Sequence, residues 1–313
     1  MKKYSKVLSL ALAFVMLFAL CACGTAASSP AAEPTAAPAA DAPASEAPAE
    51  TEAPAESQGV LDQIKADGVL YVTLSPDFAP MEFIDSSKDG QEQYVGFDVT
   101  LAKYIADYIG VDLVIEPMSF DACQTAVYTG SVPMSISGYS WTEERSENYE
   151  ISDYYYAGDN ETEQVILIKK TDADKYTSAE DFSGVDVGAQ NASLQMNLLT
   201  SQLPDANPIT IGDLGVGVLE LQNGSIEALA VAKGNAEMII DSNPDLMICS
   251  WEFEVAAEYE ANVILITKGE TALLNVVNEA LAKAYADGLY GTWYEDAVAL
   301  AKSENAAEVS VED

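Results

Sequence analysis

Val69-Leu-Tyr-Val-Thr-Leu74, bounded by Gly68 and Pro76, is a short β-branched and apolar run of the kind that fills a buried strand. After it, Thr100 to Ile109 places apolar residues at 101, 102, 105, 106 and 109, the stripe of an amphipathic helix that Gly110 ends. Val111 to Ile115 then returns to strand, Phe120 to Tyr128 to helix and Met134 to Ser137 to strand. The alternation continues with strand-like runs at Gln164–Ile168, Val185–Val187 and Ala228–Val231, and helices over Leu194–Gln202 and before Asn223. It closes with a strand at Val263–Thr267 and two amphipathic helices, 271–287 and 289–302. Strands and helices taking turns predict an α/β architecture with largely parallel sheets. No internal repeat of solenoid length is visible.

Composition narrows the chemistry. The 313 residues carry 51 acidic and 14 basic side chains, a formal net charge of −37, and no histidine. That balance excludes a nucleic-acid-binding face. The lack of histidine removes Ser-His-Asp and Cys-His nucleophiles and every imidazole metal site, and the cysteine spacings make no zinc pair. No cofactor and no metal are therefore expected. Asp241-Ser-Asn-Pro-Asp245 lacks the spacing of a calcium loop and reads as the end of a helix.

The first 58 residues read as address and tether. Lys2, Lys3 and Lys6 precede an apolar stretch from Val7 to Leu20, the pattern of an export signal and too short for a comfortable membrane span. Leu20-Cys21-Ala22-Cys23-Gly24 resembles the bacterial lipobox, in which small residues precede a cysteine that receives a lipid. Cys23 fits that role, whereas bulky Leu20 would sit just before the cut at Cys21. Residues 1–22 are thus expected to be a lipoprotein signal peptide, with Cys23 lipidated at the mature N-terminus. Between Gly24 and Ser57 lie 14 Ala, 6 Pro and 6 acidic residues, with no Val, Ile, Leu, Met or aromatic residue, so residues 23–58 cannot build a core. Extended at about 3.1 Å per residue, the tether reaches roughly 100 Å from a membrane. Removal of the three signal lysines leaves 11 basic and 51 acidic residues, a charge of −40. Cys123 and Cys249 are expected as free, buried thiols in different lobes.

Five ordered stretches carry a family resemblance: Phe78-Ala-Pro-Met-Glu-Phe83, Val95-Gly-Phe-Asp98, Pro117-Met-Ser-Phe120, Ser137-Gly-Tyr-Ser-Trp-Thr-Glu-Glu-Arg145 and Ile151-Ser-Asp-Tyr-Tyr155. Their order and spacing, from about Gly59 to Lys302, resemble the extracellular solute-binding proteins of polar amino acid ABC importers. The resemblance implies a two-lobed periplasmic-binding-protein type 2 fold, two α/β lobes joined by two crossing hinge strands. The first lobe would comprise 59–155 and 263–302, the second 156–262, with 303–313 a polar tail. It further implies a lipid-anchored protein on the outer face of the bacterial cytoplasmic membrane, presenting a small-molecule ligand to an ABC transporter permease.

The residues themselves point to Arg145. It is the chain's single arginine, on a molecule with a large acidic excess, and its planar fork suits a carboxylate. The plainer reading is a surface pair with Glu143 or Glu144. By resemblance, Arg145 clamps a ligand α-carboxylate. Phe78 and Phe120 resemble the aromatic walls of the ligand pocket, and Gly138 and Ser140 match positions offering a carbonyl and a hydroxyl to the ligand amine. For Tyr139 and Trp141 pocket and core are both open, since alternate strand positions face opposite ways. Asn191 and Ala192, in Gly188-Ala-Gln-Asn-Ala-Ser193, match a second-lobe loop whose N–H groups at a helix start meet the carboxylate, although the loop departs from the usual pattern. Asn223 to Lys233 aligns with a stretch whose last acidic residue pairs with the ligand ammonium, and here that position is Ala232. The position that is acidic in cation-binding members is Ser75, with Asp77 two residues on. These departures favour a carboxylate ligand with an apolar or aromatic body over lysine or arginine.

A binding module is therefore expected rather than an enzyme. The enzymatic alternative, a cyclohexadienyl-type dehydratase on the same fold, would need a general acid such as Lys233 or a cleft Glu, and no paired constellation is apparent. A receptor sensory domain would need a membrane helix after the lobes, which the chain does not carry between them and Asp313.

Overall fold

The computed structural model describes residues 59–156, 163–259, 261–303 and 306–307. The expected signal peptide, the lipidation site Cys23 and the tether lie outside the described residues.

The chain opens with α1 (Val60–Asp67) and β1 (Val69–Leu74), then β2 (Asp77–Phe78), β3 (Glu82–Asp85) and β4 (Tyr94–Val95). Helix α2 (Phe97–Ile109) starts at Gly96, whose φ of 120° and contact with the Met81 carbonyl leave no room for a Cβ. Gly110 ends the same helix in the left-handed conformation, as its place after the apolar stripe predicts. Next come β5 (Asp112–Pro117), α3 (Phe120–Tyr128), β6 (Met134–Ser140), the short α4 (Glu143–Asn148) and β7 (Glu150–Ile151). The second sheet is built from β8 (Gln164–Lys169), β9 (Asp186–Gln190), α5 (Leu194–Gln202), β10 (Asn207–Ile211), α6 (Leu214–Asn223), β11 (Ala228–Ala232), α7 (Lys233–Ser242) and β12 (Leu246–Ile248). The chain then returns through β13 (Asn262–Ile266), α8 (Thr271–Ala286), α9 (Leu289–Ala301) and β14 (Ala306–Ala307).

Two five-stranded sheets repeat one plan. The first has the order β5-β1-β6-β13-β7 and the second β10-β9-β11-β8-β12. In each, four strands run in one direction and one, β13 or β8, runs against them, so the sheets are largely parallel as expected but two of the four pairings in each are antiparallel. The reason is the crossing. Strand β13, which arrives from the second sheet, and β8, which arrives from the first, each enter the new sheet against its parallel run. Tyr155, where the chain leaves the first sheet, and Asn262, the first residue of β13, form an antiparallel bridge. A small antiparallel sheet, β14-β3-β2 with β4 beside β3, flanks the first lobe. Ala306 and Ala307 pair there with Asp85 and Ile84, so part of the expected polar tail is an edge strand.

Each sheet is covered on both faces. One face of the first sheet meets α1, α2, α8 and α9 through Leu70, Val72, Leu101, Ile105, Val277 and Leu281. Its other face packs Tyr139, Val263 and Leu265 on Cys123 and Val127 of α3. The second sheet is likewise sandwiched, with Ile166, Val187 and Leu199 on one side and Val165, Leu221 and Leu229 on the other. Continuous apolar strands such as Val263 to Ile266, all fully buried, follow from this two-sided cover. Cys123 and Cys249 are both free and buried, one in each lobe's core.

Candidate functional site

The carboxyl end of β6 places the central residue. Thr142 caps α4, its Oγ1 accepting from the Arg145 N–H at 3.1 Å, and Glu143 and Glu144 occupy the first turn. This local order turns the Arg145 side chain inward, and the residue is only 5% exposed. The guanidinium donates through Nε to Gln124 Oε1 at 3.3 Å, through Nη1 to the Ser140 carbonyl at 2.7 Å, and through Nη2 to the Ala192 carbonyl at 2.9 Å. It lies over the rings of Tyr139 and Phe120, 5.1 and 5.7 Å from their centroids. Among the described residues no carboxylate forms an ion pair with it, so the pairing with Glu143 or Glu144 is not made. Burial holds its pKa below the usual arginine value. A buried cation served only by carbonyl and amide oxygens is electrostatically poised for an anion.

Ala192 belongs to the second lobe, in the turn between β9 and α5, and has a φ of +56° without being glycine. Its carbonyl is the acceptor that meets Arg145. Ser193 caps α5 by accepting from Met196 N at 3.1 Å. The helix N-terminus, with its positive end, therefore begins two residues from the atom that Arg145 touches. Asn191 is exposed and its side chain donates to Asp121 Oδ2 of the first lobe at 3.0 Å.

The aromatic residues separate into two roles. Phe78 lies against Gly138, where φ is +55° and a Cβ would come within 2.8 Å of the ring. Phe78 also packs against the apolar clusters of both lobes. Phe120 packs on Tyr139 with the rings tilted by 34° and their centroids 4.9 Å apart. Tyr139 is fully buried, with its hydroxyl on Ser135 Oγ at 2.9 Å, so it packs in the core beneath the guanidinium. Strand alternation sends Gly138 to one side and Tyr139 to the other. Trp141 is half-buried against the cluster containing Tyr139 and Phe120. Ser140 contributes its backbone carbonyl to Arg145.

Ser75 donates to Asp77 Oδ1 at 2.7 Å, and Asp77 turns out to be an interlobe residue. Its Oδ2 accepts from Leu214 N at 2.8 Å, the first residue of α6, and from Gln190 Nε2 at 2.9 Å. The carboxyl is enclosed between the lobes, and burial pushes its pKa up to about 7 against the opposing pull of the Leu214 N–H. Ala232 ends β11 as the N-cap of α7, buried and presenting only a methyl group. One turn later Asn235 Nδ2 reaches the Ala79 carbonyl across the boundary at 3.4 Å.

Behind Gly138 lies a buried acid pair that the sequence reading did not single out. Glu82 Oε1 accepts from Ser137 Oγ at 2.6 Å, while Asp98 Oδ2 accepts from Gly138 N at 2.8 Å and Tyr155 OH at 3.0 Å. The remaining oxygens, Glu82 Oε2 and Asp98 Oδ1, are deeply buried without a hydrogen-bond partner among the described residues. Burial raises both groups, Asp98 to about 7 and Glu82 well above the carboxylate range, the latter raised further by the charge of Asp98. A signal existed: Glu82 sits between Met81 and Phe83, and Asp98 lies three residues before Leu101 on the apolar stripe of α2. Gln124 was equally legible, four residues after Phe120 on one helix.

Comparison with known proteins gives this geometry its context. Residues 70–297 match the bacterial extracellular solute-binding proteins, family 3. The chain belongs to that family. It is 26% identical over 223 residues to a probable histidine-binding protein of Campylobacter jejuni, covering 71% of this chain and 82% of the relative. The amino acid ABC transporter substrate-binding protein AbpA of Streptococcus pneumoniae, solved bound to L-arginine, superposes with a TM-score of 0.71 at 32% identity, covering 78% of this chain and all of that one. An ancestral amino acid-binding protein described as a precursor of cyclohexadienyl dehydratase has a TM-score of 0.65 at 30% identity, with coverages of 76% and 98%. The two-lobed fold of family 3 proteins is thus that of this chain. No helix among the described residues is long and apolar enough to cross a membrane.

Proposed function

We propose that the protein captures an amino acid or amino-acid-like carboxylate between its lobes and delivers it to an ABC transporter permease. The first lobe would comprise 59–155 and 263–302, and the second 156–262. One observation carries the reading: the buried Arg145 guanidinium, without a carboxylate partner, bonds across to the turn that starts α5. A cation from one lobe and a helix N-terminus from the other form a divided anion site, which a carboxylate would complete and which would draw the lobes together. Phe78, Phe120, Gly138, Ser140 and Trp141 would shape the pocket, with Tyr139 supporting Arg145 from beneath. Asn191 and Ala192 would supply the second-lobe turn.

Arginine- and histidine-binding relatives make basic amino acids a natural part of any screen. Against a cationic side chain stands the use of Asp77, whose carboxylate already accepts three hydrogen bonds from the protein. Ala232 offers no charge for an ammonium, so amine-free or N-substituted carboxylates belong in the same panel.

The dehydratase alternative is disfavoured by Lys233. Its Nζ is paired with Glu163 at 2.6 Å, and this hydrogen bond raises its pKa, which keeps it a charged surface cation instead of a proton-transfer group. Cys23 as a lipid anchor and residues 23–58 as tether would hold the lobes outside the cytoplasmic membrane.

A thermal-shift screen of amino acids, their deaminated and N-modified analogues and small aromatic carboxylates tests the reading. A ligand at about 100 times its Kd adds roughly 2.7 kcal/mol, so a selective rise in Tm is expected for at least one carboxylate class. No shift across the panel, with amines and neutral sugars equally silent, would reject it.

A further inference from the structure

We propose that Asp77 is a closure-positioning residue: a first-lobe carboxylate that binds the second lobe directly, and so contributes to the affinity for any ligand held between the lobes. This rests on the interlobe binding site proposed above. Asp77 lies next to the Phe78 wall, on the two-residue strand β2. Its Oδ1 is fixed from its own lobe by Ser75 Oγ at 2.7 Å, which orients the carboxylate outward from the first sheet. Its Oδ2 then takes two donors from the second lobe, the Leu214 N–H at 2.8 Å and Gln190 Nε2 at 2.9 Å.

The two donors come from different elements. Leu214 N is the first amide of α6, which its own cap does not serve, because Asp213 Oδ1 accepts instead from Val216 N at 3.0 Å. Asp77 thus caps a helix of the opposite lobe at its positive end. Gln190 ends β9 and leads into the Asn191–Ala192 turn that meets Arg145. The same carboxylate therefore fixes one end of the segment on which the divided anion site depends. Opening the lobes would strip the Leu214 amide and the Gln190 side chain of this acceptor together. The interaction belongs to the closed arrangement and not to either lobe alone.

Isosteric replacement separates positioning from fold stability. In Asp77→Asn the amide oxygen can accept both second-lobe donors, and the amide nitrogen can donate to Ser75 Oγ, since a hydroxyl serves either way. In Asp77→Ala neither donor is served. Gln190→Ala removes one donor from the other side and leaves Asp77 in place.

Two measurements on the full chain decide the matter. The first needs no ligand: hydrogen exchange of the Leu214 amide. Protection is expected in wild type and Asp77→Asn, with exchange roughly tenfold or more faster in Asp77→Ala, while amides within β9 and β11 keep their rates. Equal exchange in wild type and Asp77→Ala overturns the clasp. The second is affinity for L-arginine, L-histidine and L-phenylalanine. Asp77→Ala is expected to weaken every bound probe by a common factor of roughly 10 to 100, the range of a hydrogen bond to a charged group, through faster dissociation. Asp77→Asn should recover most of it, and Gln190→Ala should fall between. A loss confined to one probe would make Asp77 a direct ligand contact, and unchanged affinity with only a lower Tm would make it structural; both refute the positioning role. Failure of every probe, analogues included, to bind wild type would reject the binding reading and the positioning role, while the exchange result would still decide the clasp.

Discussion

Replacing Arg145 by methionine separates the ligand's requirement for the guanidinium from the fold's. Methionine keeps an unbranched apolar stem over Phe120 and Tyr139 but removes the charge and the bonds to Gln124, Ser140 and Ala192. Two effects on the free protein oppose each other: relief of a desolvated cation, and the vacating of acceptors worth about 1–3 kcal/mol each where water cannot reach. The free protein's Tm should therefore move little. The ligand complex has no such offset, because its carboxylate would be left without its cation at a cost of about 3–5 kcal/mol, a loss of roughly 150- to 5,000-fold in affinity. At a ligand concentration about 100 times the wild-type Kd, the stabilisation falls from roughly 2.7 to below about 0.3 kcal/mol. With an unfolding entropy near 2.1 cal/mol/K per residue over roughly 250 residues, that is a rise of about 5 °C in wild type and under about 1 °C in Arg145→Met. Differential scanning calorimetry with and without ligand reads both. An Arg145→Met protein that keeps a rise of about 4 °C or more would refute the carboxylate assignment.

Two further outcomes follow from the site. Gly138→Ala places a Cβ within 2.8 Å of the Phe78 ring at a φ of +55°. It should lower stability by about 1–2 kcal/mol and weaken binding as Phe78 moves, measured by urea unfolding and by titration; wild-type values for both would show that the ring contact has no role. The second outcome concerns pH. Asp77 and Asp98 are raised to about 7, so their contribution to stability is full below their ordinary carboxylate values and is lost as pH rises through about 7, and Glu82, raised well above the carboxylate range, acts in the same direction. Asp85, Asp121 and Asp181 are lowered and act oppositely, losing their contribution only as pH falls through the acid range. The urea midpoint should therefore drop between about pH 5.5 and 8.5, and a midpoint that rises over that interval would contradict the buried acid assignment.

The alternation of apolar strand runs and helical stripes carried the α/β class directly, because buried strands and amphipathic helices impose their periods on local sequence. Helix ends were legible for the same reason, Gly110 after α2 and Asn243 after α7 being local punctuation. Arg145 stood out by uniqueness. Less legible was the mixed direction of the sheets, which depends on two connections crossing far apart in sequence. Tyr139 and Gly138 are adjacent residues of one motif, yet Tyr139 is fully buried in the core while Gly138 lies against the Phe78 ring, and only the pleat assigns each to its side.

Asp77 marks the boundary between the two kinds of knowledge. Its sequence neighbours, Pro76 and Phe78, say nothing of Leu214 or Gln190, which lie more than 100 positions away and meet it only when the lobes come together. Likewise Glu82 and Asp98 both have raised pKa values because β3 and α2 pack on one core, where burial makes two separate charges costly. Sequence alone determined the element types, the family motifs and the presence of a single arginine suited to a carboxylate, since these rest on local periodicity and side-chain chemistry. Tertiary structure decided which groups face one another and how far from water they lie. Hydrogen-bond partners and pKa values are properties of that surrounding, which no stretch of chain carries by itself.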